Sequence, residues 1–156
     1  MKIHMRSDLE QLAAPLSSLG NLGLFSLSTQ ATLLLESYRG TTDWEDGASL
    51  DDATAEIQNT LGGEYGEFVP AASGIVVDSE GAPCSAIYCS IFEGEPFIVF
   101  TFTAPDSLGR GYASSLIRGA AAVFLEKGFT SIHLYVTEEN PARKLYGSLG
   151  FKSFAL

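Results

Sequence analysis

Apolar residues at 113, 116, 117, 120, 121 and 124 recur at helical spacing and predict a helix over 111–127, with Gly128 as its stop. Just upstream, PFIVFTFT (96–103) is mostly β-branched or aromatic and predicts a strand over 97–103. A second strand is expected over 130–136, so strand, helix and strand make a βαβ unit with parallel strands and a right-handed crossover. GIVVDSEGAPCSAIYCSI (74–91) reads as a hairpin turning at 78–81. Glu93-Gly94-Glu95 then turns the chain into the 97–103 strand, which completes an antiparallel meander. Earlier in the chain, a helix is expected at 28–38, ended by Gly40. Another is expected at 50–61, with Ser49 as cap, Leu50, Ala53, Ile57 and Leu61 on one face, and Gly62-Gly63 as stop. Near the end, Asn140 caps and Pro141 opens a short helix, Gly150 closes it, and FKSFAL (151–156) is a final short strand. The pattern predicts an α/β or α+β fold with a mixed sheet.

Composition sets the class. The 156 residues are 46% hydrophobic and 18% charged, as expected of one folded domain over 1–156. The most apolar early stretch, LGNLGLFSLSTQATLLL, is broken by Gly, Ser, Asn, Thr and Gln, so no membrane span is expected. It lacks the basic start and small-residue cleavage pattern of a secretory signal, and a cytoplasmic location is expected. Cys84 and Cys89 are five apart in one predicted strand, point to opposite faces, and read as buried thiols that cannot pair. The net charge of −10 argues against nucleic acid as a partner. The charge is uneven: residues 1–106 carry −13 and residues 107–156 carry +3. A small polyanion would be steered to the second part.

That part opens with Gly109-Arg110-Gly111, where the strand hands over to the helix. A helix start offers unpaired N–H groups and partial positive charge to a phosphate. Gly109 and Gly111 leave the backbone approachable, Arg110 adds charge, and Ser114 and Ser115 add hydroxyls. Glycines before a helix are also ordinary turn residues. A Rossmann fingerprint is excluded by Ser114, and a P-loop by the missing Gly-Lys-Ser/Thr.

Downstream lies NPARKLYGSLGF (140–151). With the meander and the glycine loop, it resembles the GNAT superfamily of acyl-CoA-dependent N-acyltransferases. Gly111-Tyr112-Ala113 matches the family's Gly-x-Gly/Ala before a long helix; Asn140, Tyr146 and Leu149-Gly150-Phe151 match its later motif. The resemblance covers about residues 74–154. It implies a mostly antiparallel central sheet with an acyl-CoA-binding βαβ unit and helices on both faces. It implies acetyl-CoA as co-substrate, with pyrophosphate on the N–H groups of Gly109, Arg110, Gly111, Tyr112, Ala113 and Ser114. Pantetheine would pair with the backbone near Phe102 and Thr103 between strands that splay apart, and Asn140 would reach the CoA arm from the other side. The implied reaction is direct attack of an amine on the thioester, with Tyr146 protonating the thiolate; a core-packing role for Tyr146 is the alternative. No metal is implied.

Three departures stand out. Leu108 replaces a polar residue the family often has before the loop, which puts one phosphate contact in doubt. Phe97 stands where histone-type members carry a general-base Glu; Glu95, on the same strand face, or an ordered water could substitute, and His133 is another candidate that reads first as a structural histidine. The chain also has too little sequence after Phe151 for the two strands expected there. In the family the last strand lies between the fifth strand and the one after Leu-Gly-Phe. Residues 2–6 or a second copy in a homodimer would complete the sheet, and the homodimer is the expectation. The acceptor is a small-molecule or peptide amine. Nine acidic residues and one basic residue between Glu36 and Glu67 point to a cationic one, or form a solvated acidic surface. A non-catalytic acyl-CoA-binding module on the same fold is the competing reading.

Overall fold

The structure, a computed structural model, describes residues 2–14, 21–38 and 48–153. In chain order the elements are β1 (Lys2–Asp8), α1 (Leu9–Leu12), α2 (Leu27–Tyr38), α3 (Leu50–Leu61), β2 (Glu67–Phe68), β3 (Gly74–Val77), β4 (Pro83–Phe92), β5 (Glu95–Thr103), α4 (Tyr112–Glu126), β6 (Ser131–Thr137), α5 (Ala142–Ser148) and β7 (Lys152–Ser153). The seven strands form one sheet in the order β2-β4-β5-β6-β1-β7, with β3 also pairing with β4. Every pairing is antiparallel except β5 with β6. The α/β fold with a mostly antiparallel sheet is therefore present.

Strand alternation builds two cores. Ile87, Cys89, Ile98, Ile132, Leu134 and Met5 face α1, α4 and α5. Ala86, Tyr88 and Phe102 face α2 and α3 from the other side of the sheet. Helices thus cover both faces. Tyr88 is fully buried and donates its hydroxyl to Gln30 Oε1 at 2.6 Å, while Gln30 Nε2 donates to the carbonyls of Leu22 and Phe25. This satisfies the one polar atom the Tyr88 ring brings into the core.

Local signals act as expected. Ser49 and Asp52 form a capping box at α3, and their hydrogen bonds hold the Asp52 carboxyl below its ordinary value. The β4–β5 hairpin turns on Glu93-Gly94, both at positive φ, the geometry a two-residue hairpin demands. Gly66 is required for a different reason: a Cβ there would lie 2.0 Å from the Ile91 carbonyl oxygen. The Gly40 stop, the acidic stretch 41–47 and residues 154–156 of the last strand lie outside the described residues.

The ground for the homodimer expectation, an open slot in the sheet, needs correction. β1 pairs with β6 over seven registered positions, from Lys2↔Thr137 to Asp8↔Ser131. β7 then pairs with β1 through Met5↔Ser153 and Arg6↔Lys152. The start of the chain fills the slot between β6 and β7, so the vacancy that called for a second copy does not exist.

Candidate functional site

β5 and β6 run parallel but share one registered pair, Phe97↔His133. Beyond it they part. β6 keeps β1 on its other edge throughout, and the edge of β5 from Ile98 onward has no registered partner on the β6 side among the described residues. β5 is also bulged. Tyr88 pairs with Phe100 and Cys89 with Ile98, leaving Val99 as the extra residue. Val99 and Phe100 consequently both turn toward the α2/α3 core.

A cavity of about 390 Å³ occupies the opening. One wall is β5 from Phe97 to Thr101, the other β6 from Leu134 to Thr137. Asn140 and Tyr146 line it from the α5 side, and Tyr38, Glu56 and Tyr65 from the α2/α3 side. Two sequence-predicted residues, Asn140 and Tyr146, are thus brought to one cavity. Tyr146 is buried with only 7% exposed, its ring 5.8 Å from that of Phe151. Asn140 Oδ1 accepts from the Ala142 N–H at 2.8 Å, so the cap role is present. A larger, more open groove of about 800 Å³ runs beside β1 and β7 and contains none of the predicted site residues.

β5 leads into α4 through a short 3₁₀ turn at Pro105–Ser107. Gly109 and Gly111 have φ of 78° and 81°, and a Cβ at either would meet no protein atom within 4 Å. The helix start has no side-chain cap. Its first N–H groups are therefore open to an anion, in a backbone conformation that glycine permits at no steric cost. Arg110 is exposed, and Tyr112, Ala113 and Ser114 are half-buried in the first turn. These residues fit a pyrophosphate. Phe102 is buried in the core and its carbonyl accepts from Ser85 Oγ at 3.2 Å on the β4 side, while Thr103 Oγ1 lies 2.8 Å from the same hydroxyl. Burial beside this turn pushes the Cys84 thiol up, and full burial pushes the Cys89 thiol up, away from the thiolate form a nucleophile needs.

Glu95, the expected base, is paired with Arg6 and stands outside the cavity lining. Arg6 donates from Nη1 to Oε1 at 3.0 Å and from Nη2 to Oε2 at 2.7 Å. The expectation that it serves as base is not supported. His133 is buried, with Nδ1 2.8 Å from Nε2 of His4.

Sequence reasoning missed Glu56, Tyr65, Tyr38, His4 and the Val99 bulge. The Tyr65 hydroxyl donates to Glu56 Oε2 at 3.3 Å, and burial together with Glu56 pushes its pKa up. Glu56 lies within the acidic segment, but nothing local marks it apart from its eight acidic neighbours.

Residues 32–151 match the Acetyltransferase (GNAT) family. No curated protein matches the chain by sequence. Solved structures share the fold. A GCN5-related N-acetyltransferase from Sphaerobacter thermophilus has a TM-score of 0.70 at 15% identity, over 98% of this chain and 48% of that one. The PaiA N-acetyltransferase from Thermoplasma acidophilum, in complex with coenzyme A, gives 0.68 at 16% identity, over 86% and 89%. An aminoglycoside antibiotic 6'-N-acetyltransferase from Acinetobacter haemolyticus gives 0.63 at 17% identity, over 84% and 88%. The chain spans about half of the first of these and nearly nine-tenths of the other two. No helix among the described residues is long and apolar enough to cross a membrane.

Proposed function

The chain belongs to the Acetyltransferase (GNAT) family, and on that premise we propose that it transfers an acetyl group from acetyl-CoA to a primary amine by direct attack. The observation that carries this is the parting of β5 and β6 after one registered pair, with an uncapped helix start following the open edge of β5. Pyrophosphate rests on the N–H groups of Gly109–Ser114, with Arg110 supplying charge. Pantetheine adds to the β5 edge as a short strand, using backbone groups as far as Phe102 and Thr103. The Val99 bulge turns an N–H out of the β4 ladder, where it polarises the thioester carbonyl. Tyr146 protonates the departing thiolate. Asn140 holds the start of α5, and with it Tyr146, against the CoA arm.

The acceptor enters from the α2/α3 side. Glu56 at the cavity wall supports a cationic amine, and the fold shared with an aminoglycoside acetyltransferase is in keeping with a small polyamine of that kind. A cytoplasmic enzyme with ready access to acetyl-CoA is the setting this reading requires. The test is thiol release from acetyl-CoA across a panel of mono- and polyamines, with mass spectrometry of the acetylated product. Turnover of at least one cationic amine is expected.

Phe97 favours a second reading, a non-catalytic acyl-CoA-binding module, since its ring cannot accept a proton. CoA binding in calorimetry with no turnover of any amine selects the module.

A further inference from the structure

Among the described residues that line the cavity, two carry charge, and their signs are opposite. Glu56 stands on α3, one turn after the buried Ala53 that helps fasten the helix to the sheet. Its Oε2 accepts from the Tyr65 hydroxyl, and the Tyr65 carbonyl accepts from Ser90 Oγ, so this wall is tied to β4. Oε1 has no hydrogen-bond partner among the described residues.

Lys2 comes from the opposite side. Ile3 and Met5 pack into the core under α1 and α4, so alternation turns Lys2, His4 and Arg6 to the other face of β1. That is the face which α2 and α3 cover further along the sheet. Lys2 registers with Thr137 at the far end of β6, and both line the cavity. Arg6 is paired with Glu95, whereas Lys2 is exposed and forms no ion pair with a described residue. Between the two charged walls lie aromatic rings, with the centroids of Phe97 and Tyr135 5.9 Å apart. The sheet order β4-β5-β6-β1 puts three strand spacings between the walls, about 14 Å at ~4.8 Å each.

We infer that the acceptor carries a carboxylate as well as its amine: Lys2 takes the carboxylate, Glu56 the ammonium, and an uncharged chain lies across Phe97 and Tyr135 between them. This rests on the acetyltransfer reading above and narrows its cationic amine to a zwitterion. The shared fold alone would suit a polyamine, but Lys2 would face the far cation of one, and a like charge rejects a partner as surely as an unlike charge selects it. An α-amino acid holds its two charges one carbon apart, too close to meet both walls. A chain of several carbons between amine and carboxylate spans them.

The carboxylate takes no part in the transfer. The amine nitrogen bonds to the acetyl carbon, the C–S bond breaks, and the sulfur leaves with its electron pair. Of the two protons the ammonium nitrogen gives up, one is balanced by the proton that ends on the CoA thiol and the other passes to solvent.

The test is kcat/KM for three amines of matched length: δ-aminovalerate, n-pentylamine and putrescine, which end in a carboxylate, a methyl and a second ammonium. Each is measured with wild type, Lys2→Met and Lys2→Glu. Wild type is expected to favour δ-aminovalerate over n-pentylamine by about tenfold, the usual worth of a hydrogen bond to a charged group, with putrescine the poorest. Lys2→Met should level δ-aminovalerate with n-pentylamine, and Lys2→Glu should put putrescine first. Lys2 is exposed and pairs through its backbone, so both variants are expected to fold. Wild type that turns over n-pentylamine or putrescine as well as δ-aminovalerate overturns the inference and leaves the acetyltransfer reading standing. A preference for δ-aminovalerate that survives in Lys2→Glu overturns it too. No turnover of any amine overturns the acetyltransfer reading, and calorimetry of the three compounds with the CoA-loaded protein then decides the charge layout. Tighter binding of δ-aminovalerate, lost in Lys2→Glu, supports it; equal binding overturns it.

Discussion

Phe97 stands directly opposite His133, and theirs is the single registered pair between β5 and β6. Every feature of the candidate site radiates from that point. At it aromatic and imidazole rings meet, with Phe97 also 5.2 Å from Phe92 of β4 and 5.9 Å from Tyr135 of β6. Above it the strands part around the cavity. A bulky apolar residue at 97 fills the closed end while the open end borders the cavity.

Gly111→Val should weaken CoA binding at least tenfold in calorimetry. No protein atom crowds the position, so the loss comes from occluding the phosphate and from strain at φ 81°. A left-handed conformation costs an L-residue about 1–2 kcal/mol. Gly128→Ala separates the two effects. It sits at φ 95° after the other end of α4, and should lower the melting temperature while leaving CoA affinity unchanged.

Tyr146→Phe should reduce kcat by about 10²–10⁴-fold, the range for a lost general acid. CoA affinity should be unchanged, because the ring keeps its place against Phe151. Equal turnover by the two proteins would return Tyr146 to core packing.

Glu56→Gln should raise KM for a cationic amine by about tenfold, the effect of losing roughly 1.4 kcal/mol of charge-assisted attraction, with kcat nearly constant. A neutral amine of similar size should show no change. A parallel rise for both amines would mean that Glu56 only orients Tyr65.

Gly66→Ala should destabilise the fold by about 1–3 kcal/mol, the range for backbone strain. The added Cβ meets backbone, not a side chain that can swing aside. Tyr65 follows Gly66 in consequence, since the Tyr65 carbonyl accepts from Ser90 Oγ at 2.6 Å. A rise in KM for the amine should accompany the drop in melting temperature.

The sequence made the periodic elements legible: the 3.6-residue spacing of α4, the capping serine of α3, the two hairpins and the Asn140 cap each depend on residues within a few positions of one another. The glycine loop and the Tyr146 helix were legible for the same reason. What was hidden depends on distant pairing. KIHMRSD has no long apolar run, and only its register on β6 reveals why Met5 is buried while His4 and Arg6 face the other way. His4 and His133 are 129 positions apart, and the Arg6–Glu95 pair is separated by 89. The Val99 bulge appears only when β4 and β5 are aligned and one residue is left over. Glu95 was chosen for its strand face, and a neighbour from the far end of the chain changed its role.

The place of β1 also has a consequence for how the chain is made. Synthesis runs from the N-terminal side, so β1 leaves the ribosome before every other described element, and its partners at 131–137 and 152–153 follow after β4, β5 and α4. The meander and α4 can assemble around β4 and β5 well before then, with β6 still to come. Until β6 follows, β1 is an unpaired strand with a charged, amphipathic sequence, a composition that discourages pairing with the wrong edge. Lys2 therefore reaches the cavity only once β6 has formed, so the glycine turn before α4 can be in place before that wall of the cavity is.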